Sequence, residues 1–131
     1  MIVDTSALLA VIFNEPDEPR FAAALIDAPV LRMSVASWVE AAMVIDSRKS
    51  PRAKARFEDL IAELQMDLVP VSVEMAYRCR VAHADYGRGN HPAKLNYGDC
   101  FAYALAKETR EPLLFKGDDF AQTDIEPALK D

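Results

Sequence analysis

Three carboxylates stand where burial would ordinarily exclude them. Asp4 closes the short apolar stretch Met1-Ile-Val3, Glu40 interrupts the apolar run Val35 to Ile45, and Asp99 opens Cys100-Phe-Ala-Tyr-Ala-Leu-Ala106. An ionised carboxylate in low dielectric is unstable unless it is neutralised or compensated by a cation. No matching set of Arg or Lys lies in these apolar runs, so a hard divalent metal is the simplest partner, and the chemistry of such a site is metal-dependent hydrolysis.

Each acid also has an innocent reading. Asp4 can be the N-cap of a helix beginning near Ser6, and Asn96-Tyr-Gly-Asp99 has the outline of a capping box, in which the fourth residue bonds back to the cap. In Val35 to Ile45 nine of eleven residues are apolar, and Ser37 and Glu40 form the only polar pair, three apart on one helix face. Glu40 then either marks a solvent stripe or belongs to a polar notch that faces a site. Gly98 removes a side chain next to Asp99, which lets a neighbouring element approach closely. A further acidic pair, Asp118-Asp119, follows the last apolar strand. Coincidence favours the functional reading, because separate elements would each need their own excuse for an acid on the buried side.

The elements that must position these acids alternate along the chain. Met1 to Asp4 reads as a strand, Ser6 to Phe13 and Pro19 to Asp27 as helices, and Val30 to Met33 as a second strand. Ser34 caps an apolar helix to about Arg48, which the pattern predicts to be mostly buried. Ser50-Pro51, serine at N-cap and proline at N1, restarts a helix to about Gln65. Leu68 to Val71 is a third strand, and Ser72 caps a helix ending at Gly87, expected to be a left-handed C′ residue. Arg88 to Lys94 is a polar loop, Asn96 to Thr109 a helix and Pro112 to Phe115 a fourth strand, with a short edge strand expected near Ile125. Short strands that are apolar on both faces, separated by helices, indicate an α/β fold: a parallel sheet of four to five strands with helices on both faces. Ligands in such sheets bind beyond the carboxyl ends of the strands, where Asp4 and Asp118 fall.

The residues at these positions also carry a resemblance. Ile2-Val-Asp-Thr-Ser-Ala7, the apolar helix with Glu40, Leu95-Asn-Tyr-Gly-Asp-Cys-Phe-Ala-Tyr-Ala-Leu-Ala106 and Leu113-Leu-Phe-Lys-Gly-Asp-Asp-Phe120 together resemble a PIN-domain ribonuclease. More narrowly, they are similar to the VapC toxins of bacterial type II toxin–antitoxin pairs, in the family's order along essentially the whole chain. The resemblance implies a PIN-like sheet and an acidic pocket holding Mg2+ or Mn2+. Within it Asp4 and Asp99 correspond to the principal metal ligands, Glu40 to the third acid, and Thr5 or Ser6 to the small polar residue near the phosphate. Many PIN domains end in Thr-x-Asp-x-x-Phe, whereas here Gly117 occupies the place of that acid. Asp118 is the preferred stand-in and Asp119 the alternative. The resemblance further implies an RNA substrate, a VapB-like antitoxin and a toxin homodimer. The apolar first two helices, Leu8 to Phe13 and Phe21 to Ile26, are either a groove for the antitoxin or ordinary core.

Other polar residues carry less. His83 and His91 share no tight ligand spacing with an acid. Cys79 and His83, four apart, make half a zinc site with no second half in the sequence. Arg88, His91 and Lys94 in the loop before Asp99 are positioned for RNA phosphates or are solvated loop charges. Trp38 is more typical of core, and Tyr97 is a possible stacking surface for a base.

Composition sets the outer bounds. A chain of 131 residues, 51% hydrophobic and 27% charged with four glycines, is expected to be a single domain over residues 1–131. The net charge of −6 argues against a generic nucleic-acid binder. Its distribution is uneven: Arg48 to Lys94 carries nine Lys/Arg against six Asp/Glu, while the remainder carries six against fifteen. A basic middle beside an acidic metal site suits a polyanionic substrate, although Arg48 to Arg56 taken alone reads as a solvated helix face. The first thirteen residues lack a basic leader, and no stretch is long and apolar enough to span a bilayer, so no membrane association is expected. Two cysteines without a zinc or CxxC spacing suggest free thiols and a cytoplasmic setting. Two rival classes remain: a receiver-like phospho-aspartate signalling domain, with Lys116 as its late lysine, and a catalytically silent module that keeps the fold.

Overall fold

A computed structural model describes residues 1–130. Four short strands, β1 (Ile2–Val3), β2 (Arg32–Ser34), β3 (Asp67–Val69) and β4 (Leu113–Leu114), form one sheet in the order β3-β2-β1-β4. Every pairing is parallel, with Ile2 opposite both Arg32 and Leu113, and Met33 opposite Leu68. The chain winds outward from β1 to β2 and β3 on one side, and β4 joins on the other. The switch point therefore lies at the carboxyl end of β1, where a crevice opens in sheets of this kind.

Six helices cover the sheet: α1 (Thr5–Ile12), α2 (Glu18–Asp27), α3 (Val35–Ser47), α4 (Pro51–Glu63), α5 (Val73–Tyr86) and α6 (Tyr97–Thr109). Adjacent strand residues point to opposite faces, which divides the core in two. Val3, Met33 and Leu114 pack with Ala7, Leu8, Ala41, Ile45 and Phe57 on one side. Ile2 and Leu113 pack with Leu95, Tyr103, Leu105 and Phe120 on the other. Ile2, Leu113 and Leu114 are fully buried, and each such side chain contributes about 1.5–3 kcal/mol relative to exposure.

Caps set the helix starts as the sequence indicates. Ser34, Ser50 and Ser72 accept from the backbone amides of Ala36, Ala53 and Met75. Pro51 occupies the first turn of α4, and α6 ends at Arg110 in the left-handed region (φ 57°).

Three expectations need correction. Gly87 is extended (φ −74°, ψ 163°), so left-handed freedom is not its purpose. A Cβ there would fall 2.6 Å from His83 Cγ and closer still to the His83 carbonyl oxygen. Gly87→Ala is therefore expected to destabilise by about 1–3 kcal/mol, read as a lower urea midpoint, because backbone cannot yield as a side-chain tip can. An unchanged midpoint would contradict this close approach.

The tail makes a single parallel bridge, Leu113 to Pro127, rather than a strand near Ile125, since Pro127 has no amide to extend a ladder. Helix α3 is less covered than its composition suggests: Ser37, Ala41 and Ile45 are buried, but Val39 and Met43 are 43% and 66% exposed. The apolar first two helices are largely core, with Leu8, Val11, Ile12, Phe21 and Leu25 buried and Ile26 exposed. No described helix is long and apolar enough to cross a membrane, and Cys79 and Cys100 are free and buried.

Candidate active site

Asp4 leaves β1 at the switch point and caps α1. Its Oδ2 accepts from the Ser6 amide (3.0 Å) and the Ser6 hydroxyl (2.6 Å), and the residue is only 5% exposed. Ser6 Oγ accepts in turn from the Lys116 amide at 2.9 Å, which ties the end of β1 to the turn after β4. Thr5 Oγ1 donates to the Ser37 carbonyl at 2.9 Å and joins α1 to α3. The hydroxyls of Thr5 and Ser6 are thus engaged in fixing Asp4 in place.

Asp99 is the third residue of α6 and completes the capping box. Its amide donates to Asn96 Oδ1 (2.9 Å), and its Oδ2 accepts from the Asn96 amide (3.0 Å). The innocent readings of Asp4 and Asp99 as capping residues therefore hold. They do not compete with a site, because a cap at a helix N-terminus orients a carboxylate and surrounds it with favourable dipole.

Glu40 reaches the same place from α3. Its carboxyl group lies directly against Gly98: a Cβ on that glycine would sit 2.8 Å from Glu40 Cδ and closer still to Oε2. The missing side chain next to Asp99 is what admits Glu40. Ser37, one turn earlier on this helix, is 2% exposed.

The electrostatics unite these groups. Burial pushes the Asp4 carboxyl upward, the Ser6 hydrogen bonds oppose the shift, and the charge of Glu40 adds to it. Burial likewise raises Asp99 to about 6, against the Asn96 backbone bond, with Asp4, Asp119 and Glu40 adding repulsion. Two helix N-termini favour anions here, yet desolvation and mutual repulsion outweigh them and hold both carboxyls above their ordinary range.

Of the paired acids, it is Asp119 whose charge reaches Asp99. Asp118 lines a neighbouring cleft of about 470 Å³ together with Asp17, Arg20 and Lys116. Gly117 turns the chain immediately before the pair at φ 107°.

The donor set is all oxygen and suits a hard ion such as Mg2+. Among the described residues no three His, Cys, Asp or Glu side chains form a ready-made ion cage. Mg2+ usually keeps several waters and takes only one or two carboxylates from the protein, so Asp4 and Asp99 are the residues that could hold it.

The remaining residues separate from this pocket. His91 Nδ1 accepts from the Ala93 amide (3.0 Å) and its ring meets Tyr86 edge-on, a role within the loop. Arg88 and Lys94 are exposed on that loop. Trp38 stacks on Phe57 as a core residue would, while Tyr97 is 81% exposed and packs edge-on against Phe101. Cys79, His83 and Cys100 share an apolar cleft of about 460 Å³, with burial raising both thiols, Cys100 to about 11, so they are neutral at physiological pH. Lys116 binds Glu15 (2.6 Å) and Asp17 (3.0 Å) instead of facing the acids, which removes the lysine a receiver-like site would need. Sequence reasoning did not foresee Ser6 as the link between β1 and the β4 turn, and no local signal announces it.

Comparison with known proteins agrees with this arrangement. The family model described as PIN domain matches residues 1–126. Ribonuclease VapC28 of Mycobacterium tuberculosis is 47% identical over 130 residues, 98% of each chain. A ribonuclease VapC of Mycolicibacterium smegmatis is 45% identical over 125 residues, 95% of this chain and 97% of the relative. In fold, the chain is similar to the crystal structure of M. tuberculosis VapC20, a sarcin-ricin loop cleaving toxin (TM-score 0.74, 14% identity, 95% of each chain). A toxin–antitoxin complex from Klebsiella pneumoniae is similar at TM-score 0.69 and 22% identity, covering 94% of this chain and 92% of that one. A match over nearly the full length makes this chain a member of the PIN-domain family and, within it, of the VapC ribonucleases.

Proposed function

We propose that this chain is a divalent-metal-dependent endoribonuclease, the toxin of a toxin–antitoxin pair, acting as a single PIN domain. The observation that carries the reading is Asp99, capped at the start of α6 and held near pKa 6 by burial and by the charges of Asp4, Asp119 and Glu40. Family membership supports the reaction class.

Asp4 and Asp99 would hold Mg2+ or Mn2+ through their carboxylate oxygens. Such an ion, when bound, lowers the pKa of a water and offsets charge on the scissile phosphate. Glu40 orients the attacking water and takes its proton, with its carboxyl group seated against Gly98. The charge of Asp119 on Asp99 favours Asp119 as the fourth acid over Asp118, the stand-in preferred from sequence, which lines the neighbouring cleft. Thr5 and Ser6 keep Asp4 in register, and Arg88 and Lys94 meet flanking RNA phosphates from the adjoining loop. Exposed cations on the α3–α4 turn and α4, Lys49, Arg52 and Lys54, extend the basic surface available to a polyanion.

A VapB-like antitoxin is the expected partner, supported by the class of the relatives and by the fold shared with a toxin–antitoxin complex. Exposed apolar residues Val39, Met43 and Tyr97 support a homodimer, and the buried free thiols suit the cytoplasm.

Incubation of the purified chain with total RNA tests the reading. Fragmentation is expected with Mg2+, should stop when EDTA is added, and should resume with excess Mg2+. Termini should be 5′-phosphate and 3′-hydroxyl, because water is the nucleophile. Cleavage that persists in EDTA, or 2′,3′-cyclic phosphate ends, would refute the mechanism. Intact RNA under all conditions would favour the silent module.

A further inference from the structure

Ser37 carries a hydroxyl that the fold does not use. The residue is 2% exposed, and its Oγ makes no hydrogen bond to any described residue. Its carbonyl, by contrast, accepts from Thr5 Oγ1, the neighbour of Asp4. Three residues on, and on the same face of α3, stands Glu40. Ser37 therefore sits at the junction of α1 and α3, one helical turn before the side chain that reaches Gly98.

Stability alone gives no reason for serine here. A buried hydroxyl without a partner is unfavourable, and alanine would remove it; the N-cap role in this first turn of α3 is already filled by Ser34. Buried polar groups in native proteins are satisfied, commonly by a bound water with several polar partners. Ala41 and Ile45, further along the same buried stripe of α3, are apolar and offer none, whereas Glu40, three residues on, and Asp4, the neighbour of Thr5, carry carboxylates that can.

We propose, on the ribonuclease reading above, that Ser37 is a positioning residue of the acid pocket: its hydroxyl holds a water that bridges to the carboxylates of Asp4 and Glu40. The water extends the oxygen set available to a divalent ion and restrains Glu40 in the orientation a base requires. Ser37 acts through that water and through Glu40, and touches no substrate itself. Outer groups of this kind typically change metal affinity or activity by about 10–100-fold.

The test compares Ser37→Ala and Ser37→Thr with the wild-type full chain. Three quantities are read: melting temperature without metal, Mn2+ affinity from the free-ion EPR signal, and kcat and KM on a fluorogenic RNA that the wild type cleaves. Ser37→Ala is expected to weaken Mn2+ binding about ten-fold and to lower kcat about ten-fold with KM little changed. Ser37→Thr, which keeps the hydroxyl, should restore at least half of both. An orphan hydroxyl with no role would give the opposite pattern, a melting temperature about 3 °C higher for Ser37→Ala with Mn2+ affinity and kcat intact, and would overturn the proposal. Equal losses in both variants together with a lower melting temperature would assign Ser37 to packing and also overturn it. A wild type that binds Mn2+ but leaves RNA intact would sink the ribonuclease reading while the Mn2+ comparison still decides Ser37.

Discussion

Asp99→Asn should reduce RNA cleavage at least about a thousand-fold while making the metal-free protein more stable at pH 8. The first effect follows from removing a proposed metal ligand: a thousand-fold is roughly 4 kcal/mol of transition-state stabilisation, within what a bound cation supplies. The second follows from the carboxyl group's environment. Burial and the charges of Asp4, Asp119 and Glu40 raise Asp99 from 3.8 to about 6. An acid whose folded pKa exceeds its unfolded value stabilises the fold fully only below the unfolded value, and that contribution is lost as pH rises through the folded one. Between about pH 4 and pH 6 the wild type therefore surrenders stability that the asparagine variant, which does not titrate there, retains. Allowing for solvent screening of a partly exposed group, the difference at pH 8 is on the order of 1–2 kcal/mol, or about 3–6 °C in melting temperature.

The shape of the substitution protects the inference. Asparagine at this position still offers Oδ1 to the Asn96 amide, so the capping box can persist. Thermal melts at pH 4 and pH 8, with and without Mg2+, separate the contributions. Wild type and variant should converge at pH 4, diverge at pH 8 without metal, and approach each other again when Mg2+ stabilises the wild type alone. A variant that is less stable at pH 8, or one that still cleaves RNA at a tenth of the wild-type rate, would contradict the proposed cation site.

Gly98→Ala should abolish most activity without unfolding the protein. The added methyl would lie 2.8 Å from Glu40 Cδ and closer to Oε2, so the carboxyl group has to leave its seat. What yields is the far end of a flexible side chain, not backbone, and alanine is intrinsically better than glycine in a helix by about 0.5–1 kcal/mol. Net stability should change by no more than about 1 kcal/mol. Displacement of a catalytic group by about 1 Å costs on the order of a hundred-fold in rate, and kcat should fall by at least that much. Combining Gly98→Ala with Glu40→Asp, one methylene shorter, should recover part of the loss, since the two changes share one contact and cannot be additive. Full activity in Gly98→Ala alone would show that Glu40 has no fixed place in the reaction. The contrast with Gly87→Ala, where the obstacle includes the His83 carbonyl, separates a glycine kept for function from one kept for the fold.

Most of the fold was legible because its signals are local. Ser34, Ser50, Ser72 and Asn96 bond to amides two or three residues ahead, and Pro51 sits where a missing amide does no harm, so each helix start could be read from four or five residues. Short apolar strands between helices likewise implied a parallel sheet covered on both faces. Gly87 escapes a sequence reading because a glycine after a helix is compatible with two reasons, a positive φ or a close neighbour, and only the tertiary structure distinguishes them. Val39 and Met43 were misread because composition gives a helix's hydrophobicity but not how much of its circumference the rest of the fold covers.

The sequence by itself determined which residues could carry chemistry and which elements would hold them: Asp4 at a strand end, Glu40 on an apolar helix, Asp99 in a capping box, and an acidic pair after the last strand. Only the tertiary structure decided how those acids meet. Placing β1 between β2 and β4 brings Asp4 to the switch point, the approach of α3 to α6 seats Glu40 against Gly98, and the turn at Gly117 brings the charge of Asp119 to Asp99 while Asp118 lines the cleft beside it. Capping and propensity act over three or four residues, whereas strand order and helix packing join residues dozens of positions apart, and no local interaction encodes that distance.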